Sequence, residues 1–225
     1  MKFAVIGLGS FGYTLAKTLY ERGNEVIVVD SNAEKVEKIK AFATHIIKMD
    51  SADKENLRAL GIHEMDTIVV CLGPDMESSI LTVLFLKELG AKRIVAKALT
   101  EDHAKILESV GATEVIFPER DMAIKTALKL NSPGILEYFP LTSGFVVQEI
   151  VPPKKFVSKS LRELDLRNRY GIQVVAVKEI IPDEVVYIPK ADFVIKDSGT
   201  LIIIGEEKQL TNLFNKKKHR SSNDS

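Results

Sequence analysis

The most constraining feature is a glycine loop lodged between two opposite periodicities. Gly7-Leu8-Gly9-Ser10-Phe11-Gly12 follows an apolar, β-branched run, Lys2 to Ile6, and precedes Ser10 to Glu21, where Phe11, Leu15 and Leu19 repeat at helical spacing. A second apolar run, Glu25 to Val29, then leads to Asp30, 18 residues after Gly12. A strand, a GxGxxG turn, a helix and an acidic residue after the next strand form the full dinucleotide-binding context, whereas the glycines alone are a weak signal. Gly7 makes the tight turn, Gly9 lets backbone approach a pyrophosphate, and Gly12 lets the helix pack closely. Ser10 and Phe11 open the helix, whose free N–H groups and positive dipole end suit phosphate. Asp30 suits both hydroxyls of an adenosine ribose. Ser31 and Asn32 follow it without an arginine, which argues against a 2′-phosphate.

The alternation continues. Strands are predicted at His45 to Lys48, Thr67 to Cys71, Arg93 to Ala96 and Glu114 to Phe117. Helices are predicted at Asn32 to Phe42, Lys54 to Leu60, Glu77 to Leu89, Glu101 to Val110 and Asp121 to Leu130. Apolar strands alternating with helices predict a Rossmann-like, doubly wound parallel sheet covered on both faces, over residues 1–131. After Gly134 the pattern changes to strand-like runs at Phe145 to Val151, Gln173 to Glu179, Val185 to Ile188 and Leu201 to Ile204, with one short helix near Leu161 to Leu164. That predicts a small α+β lobe over 141–214 and a disordered polar tail over 215–225. Ile135, Leu136, Tyr138 and Phe139, in the linking stretch 132–140, are too apolar to lie bare. Either they pack onto their own domain, or they form a crossover helix against a second subunit, giving a homodimer.

Further candidates sit at strand ends, the ligand edge of such a sheet. Asp50-Ser51 falls near the adenine or its ribose. There Asp50 either accepts from an exocyclic amine or N-caps the helix beginning near Lys54. Gly73 permits close approach to a ligand or merely serves its turn. Lys97 can neutralise phosphate and Glu119 can hold a divalent cation, unless both are solvated loop charges.

Charge and cysteine content narrow the classes. Lys+Arg and Asp+Glu are 31 each, so the basic excess of a nucleic-acid binder is absent. The single cysteine, Cys71, cannot form an internal disulfide and reads as core rather than nucleophile. The N-terminus does not read as a signal peptide, and no apolar run reaches membrane-span length. None of His45, His63, His103 and His219 pairs with a carboxylate in a recognisable catalytic motif. An NAD-dependent oxidoreductase with a small second domain is therefore the alternative, lacking an acid/base. A redox-sensing transcriptional regulator would need a helix-turn-helix where strands are predicted.

The segments Ala4–Gly12, the run ending at Asp30, Leu86–Ala98, Gly111–Ala123, Ser160–Val177 and Leu201–Gly205 carry a family resemblance. Across residues 1–214 the chain resembles the regulator-of-potassium-conductance family, the cytosolic gating subunits of Ktr- and Trk-type potassium transporters, and the likeness favours the Ktr type. The resemblance implies a regulatory subunit rather than an enzyme. Such subunits assemble as homodimers into an octameric ring beneath an integral-membrane potassium transporter, at the inner face of the cell membrane. It implies ATP, ADP, NAD or NADH at the glycine loop. It places the ribose-binding aspartate on Asp30, the phosphate-facing lysine on Lys97, and a glutamate coordinating Mg or Ca on Glu119. It also implies possible cyclic di-AMP binding in the C-lobe through Arg167. Two positions depart from the family pattern. Ser10 stands where many members carry an arginine that meets the terminal phosphate of ATP, and Ser198-Gly199 replaces a Gly-Asp.

Overall fold

A computed structural model of the chain describes residues 1–131, 134–141 and 144–215. It divides into two compact units, Met1–Arg120 and Asp121 onward. From residue 216 on, the expected polar tail lies outside the described residues, as do two residues of the linking stretch, 132 and 133.

The first unit alternates β1 (Lys2–Ile6), α1 (Ser10–Glu21), β2 (Glu25–Asp30), α2 (Ala33–Lys38), β3 (His45–Lys48), α3 (Lys54–Ala59), β4 (Thr67–Val70), α4 (Met76–Glu88), β5 (Ile94–Lys97), α5 (Glu101–Val110) and β6 (Glu114–Ile116). The six strands form one parallel sheet in the order β3-β2-β1-β4-β5-β6. Connections run outward both ways from β1 and β4, so the topological switch point lies between these two strands. β4 and β5 are buried along their whole length because helices cover both faces. One core face gathers Ile6, Ile68, Leu86 and Leu107, the other Val5, Val28, Ile39 and Val69. Glycines stop two helices as the sequence suggests: Gly61 and Gly111 take φ of +62° and +119° just beyond α3 and α5. The predicted helix Asn32 to Phe42 is interrupted, with α2 ending at Lys38 and a single 3₁₀ turn over Lys40–Phe42.

Helix α6 (Pro118–Asn131) runs from the first unit into the second. It begins three residues earlier than the periodicity predicts, with proline at its first position, where a missing N–H costs nothing. None of its residues is buried.

The second unit contains β7 (Ile135–Pro140), β8 (Phe145–Ile150), α7 (Leu161–Leu164), α8 (Leu166–Tyr170), β9 (Gln173–Glu179), β10 (Glu184–Tyr187), β11 (Thr200–Glu206) and α9 (Glu207–Asn215). Its strands form an antiparallel sheet in the order β10-β9-β11-β8-β7. Strands alternate buried and exposed residues, as in β8, so only one face meets the core of Phe156, Ile172, Ile195, Leu201 and Leu210. The linking stretch is where expectation fails. Ile135–Pro140 is the edge strand β7, paired with β8, and not a crossover helix. Its apolar residues partly serve their own domain: Ile135 is buried and Tyr138 packs against the same core. Helix α9 was not foreseen either. It buries Leu210 and Leu213, three residues apart. Gly199 explains one departure from the family pattern: a Cβ there would lie 2.9 Å from the Lys178 carbonyl oxygen, so an aspartate at 199 would not fit this turn.

Candidate functional site

The glycine loop is built by contacts that tolerate no side chain at two of its three glycines. Gly7 has φ of +95°, and a Cβ there would lie 2.9 Å from the Cys71 backbone carbonyl. A Cβ on Gly12 would lie 2.0 Å from the Gly7 carbonyl oxygen and 3.1 Å from the Cys71 side chain. The helix therefore packs on the loop itself, and β4 backs it. Gly9 differs: a Cβ there would meet nothing within 4 Å. Its glycine leaves open space on the ligand side.

Gly9 is also the N-cap of α1, with no side-chain cap. The first intrahelical bond runs from the Tyr13 N–H to the Gly9 carbonyl, 2.9 Å. The N–H groups of Ser10, Phe11 and Gly12 remain for an acceptor from outside the helix. No acidic residue lies in that first turn. By contrast Asp75 caps α4, and Thr100 caps α5 with Glu101 and Asp102 in its first turn. Those two helix ends are already capped from within the chain, whereas α1 is left open to an anion.

This loop faces a cavity of about 300 Å³ at the switch point. Of the ten nucleotide-site residues expected from sequence, nine line it: Gly7, Gly9, Phe11, Gly12, Asp30, Asp50, Ser51, Gly73 and Lys97. Ser10 does not. It is the exposed first residue of α1.

Asp30 ends β2 and is 8% exposed. Its Oδ2 accepts from the Leu8 N–H at 2.7 Å and its Oδ1 from the Asn32 N–H at 2.8 Å. The carboxylate thus clamps the glycine loop to the second strand before any ligand arrives. Each oxygen keeps a further lone pair, so it can still accept from a ribose hydroxyl. Lys35, from α2, brings its Nζ within 3.6 Å of Oδ2 and also lines the cavity. Sequence reasoning missed it, because a lysine on an exposed helical turn belongs to no motif until α2 is placed.

Asp50 does not cap α3. Asp53 does, its Oδ1 accepting from the Glu55 and Asn56 N–H groups at 3.0 and 3.1 Å. The Asp53-x-x-Asn56 pattern was there to be read. Asp50 instead accepts from the Ala52 N–H at 2.9 Å and stays at the cavity wall. Ser51 is buried, and the Thr82 hydroxyl of α4 lies 3.1 Å from both its oxygens, which fixes this loop. Gly73 has open space around its missing Cβ, so its turn imposes no steric need for glycine. Asp75 and Ser78 also line the cavity, with the Ser78 hydroxyl donating to Asp75 at 2.6 Å.

Lys97 ends β5, is 8% exposed, and is ion-paired with Glu119 at the start of α6. That hydrogen bond from Lys97 holds the Glu119 carboxyl below its ordinary pKa. Glu119 lies outside the cavity lining. Among the described residues no cluster of three or more His, Cys, Asp or Glu side chains could hold a metal ion. Glu119 is thus already engaged by Lys97, and among the described residues it is not part of a ligand set for a divalent cation.

Two residues read as bystanders behave so. Cys71 is buried, and burial pushes its thiol up to about 12, which removes it as a nucleophile. His103 is buried at the start of α5, where its Nδ1 accepts from the Leu99 N–H at 3.4 Å, and burial lowers its pKa. Among the described residues no histidine lines the cavity.

A second cavity, also about 300 Å³, lies in the second unit between α7, α8 and β9. Arg167 lines it, with Arg162, Asp165, Gln173 and Pro189.

Residues 3–118 match the TrkA-N domain and residues 146–218 the TrkA-C domain. The chain is 40% identical over 204 residues to the Ktr system potassium uptake protein C of Bacillus subtilis (strain 168), with 91% of each chain covered. It is 35% identical over 214 residues to the Ktr system potassium uptake protein A of the same organism, covering 95% of this chain and 96% of that one. Its fold matches a structure of the GsuK channel with a TM-score of 0.68 at 20% identity, covering 94% of this chain and 38% of the channel. It also matches the GsuK channel bound to NAD, with a TM-score of 0.52 at 23% identity, covering 94% of this chain and 37% of that one. At such identities these two show the fold alone. With both domains matched and relatives aligned nearly end to end, this chain belongs to the family of Ktr potassium uptake proteins built from a TrkA-N and a TrkA-C domain.

Proposed function

We propose that this chain is the nucleotide-sensing regulatory subunit of a potassium uptake system, not an oxidoreductase. The observation that carries the reading is the convergence, in one cavity, of the open N-terminus of α1, the glycine loop and the buried Asp30. An adenine nucleotide fits that arrangement, with phosphates on the α1 N–H groups and ribose hydroxyls on Asp30. The carboxylates and lysines of the cavity are engaged within the chain: Asp30 with the Leu8 and Asn32 N–H groups, Asp50 with the Ala52 N–H, Asp75 with Ser78 and Lys97 with Glu119.

Regulation requires a ligand that favours one conformation over another. The Lys97–Glu119 ion pair offers a lever: a ligand phosphate that recruits Lys97 competes with Glu119, which sits at the start of α6. Helix α6 leads into the second unit and exposes Met122, Ile124 and Leu130. Such a helix suits burial against a second copy, and so a homodimer and a ring, for which eight subunits is the expected number. The partner is an integral-membrane potassium transporter subunit, with this chain on the cytoplasmic side. No described helix is long and apolar enough to cross a membrane itself. Cyclic di-AMP at the Arg167 cavity is the second ligand, supported by two arginines lining one concave surface.

The test couples binding to transport. Saturable binding of adenine nucleotides, without their turnover, should accompany a shift in subunit assembly and in potassium uptake when the transporter is co-expressed. A monomer at micromolar concentration that binds no adenine nucleotide would refute the proposal.

A further inference from the structure

We infer that Thr82, on α4 and outside the cavity lining, is the positioning residue through which the first cavity reads the base of its nucleotide. The inference rests on the adenine-nucleotide reading above and gives a role to a residue that no motif marks. Thr82 and Ser51 are 0% and 5% exposed. Thr82 Oγ1 lies 3.1 Å from the Ser51 carbonyl oxygen and 3.1 Å from the Ser51 hydroxyl. A carbonyl only accepts, so the threonine donates its one proton there and takes a proton from the serine hydroxyl. One buried side chain thus holds both the backbone and the side chain of Ser51, in a setting where an unmade hydrogen bond is costly. The residue before it, Asp50, is exposed at the cavity wall and accepts from the Ala52 N–H at 2.9 Å. Its carboxylate is therefore oriented by its own turn, and Thr82 orients that turn.

Helix α4 serves two parts of the cavity. Asp75 and Ser78 at its N-terminal end line the cavity, and Thr82 stands one turn beyond Ser78 on the same face. One rigid helix therefore sets the spacing between the Asp75 rim and the Asp50 wall. A second tie, the half-exposed ion pair of Lys54 with Glu88 at 2.6 Å, joins α3 to the far end of α4, and neither residue lines the cavity. What the wall can read follows from its chemistry. An ionised carboxylate only accepts hydrogen bonds. It pairs with the 6-amino group of adenine and repels the 6-oxo group of hypoxanthine, an acceptor at the same position of the purine. That discrimination requires a carboxylate held in place. A loop free to turn aside would admit either base.

Isothermal titration of the full chain with ADP and with inosine diphosphate, its 6-oxo analogue, tests this. The parent chain should bind ADP at least about tenfold more tightly. Thr82→Val keeps the shape and removes the hydroxyl. It should narrow the ratio by roughly 3- to 10-fold, through lost ADP affinity with inosine diphosphate nearly unmoved. Thr82→Ser should restore the parent ratio. Thr82→Cys, whose thiol is a weak donor, should narrow it as valine does, and carries the test if the valine variant does not fold. Glu88→Gln breaks the other tie and should leave the ratio unchanged. An unmoved ratio in Thr82→Val, equal loss of both ligands, or equal narrowing in Glu88→Gln would overturn the inference, since Thr82 would then act only through general packing. A parent chain that binds both diphosphates equally would also overturn it and leave the nucleotide reading standing. A parent chain that binds neither would overturn both.

Discussion

The two units each enclose a cavity of about 300 Å³, yet they are built on opposite plans. The first cavity is made by backbone: a glycine turn, a helix end and strand termini, with a buried carboxylate fastening the loop. The second is made by side chains on short helices, and its Arg167 is exposed. A backbone site is rigid and tolerates few substitutions, whereas a side-chain site can change specificity at small structural cost. If so, equivalent mutations should hit the two cavities differently.

The largest effect belongs to Gly12→Ala. Its Cβ would sit 2.0 Å from a backbone oxygen, so the helix must move. We expect a loss of about 3 kcal/mol and a fall of roughly 6–12 °C in the unfolding midpoint of the first unit. Gly9→Ala, with open space around it, should leave that midpoint alone and weaken nucleotide binding only. Equal melting of the two variants would break the distinction between a glycine needed for packing and one needed for ligand. Next is Asp30→Asn, which removes the charge at the ribose. Nucleotide affinity should drop about tenfold or more, since hydrogen bonds to charged groups contribute about 1.5–3 kcal/mol. Cyclic di-AMP titrated into the same variant should be unaffected.

Arg167→Ala is the reciprocal experiment. Cyclic di-AMP affinity should fall about tenfold, while melting and adenine-nucleotide affinity stay as in the parent chain. A parallel loss at both cavities would show that they are not independent.

The smallest effect concerns Glu137 on β7. Hydrogen bonds from Lys129 and Lys125 of α6 lower its pKa from 4.5 to about 2. Its stabilising contribution is present above pH 4.5 and is lost as pH falls from there toward 2. In Glu137→Gln the second unit should show a shallower loss of stability across that window, read by acid titration of circular dichroism.

The difference between units also explains what the sequence made legible. Strands β1, β2, β4 and β5 read clearly because burial on both faces demands unbroken apolar runs. The glycine loop and Asp30 read clearly because backbone conformation and a strand-end carboxylate leave a fixed spacing. β7 did not, because its register shifts between Ile135 and Glu137, and a bulge destroys the two-residue alternation by which a strand is recognised. Helix α9 is short and follows β11 without a break, so its two buried leucines gave little periodicity. Lys35 and Asp75 joined the cavity only through tertiary placement.

The double duty of Asp30 has an evolutionary consequence. The carboxylate that would hold the ribose also ties the Leu8 and Asn32 backbone together. A lineage under pressure to retune affinity cannot adjust this residue without loosening the loop it secures. Drift in ligand preference is therefore channelled to positions free of that burden, such as Ser10 at the helix start. Relatives sharing this loop should differ there first.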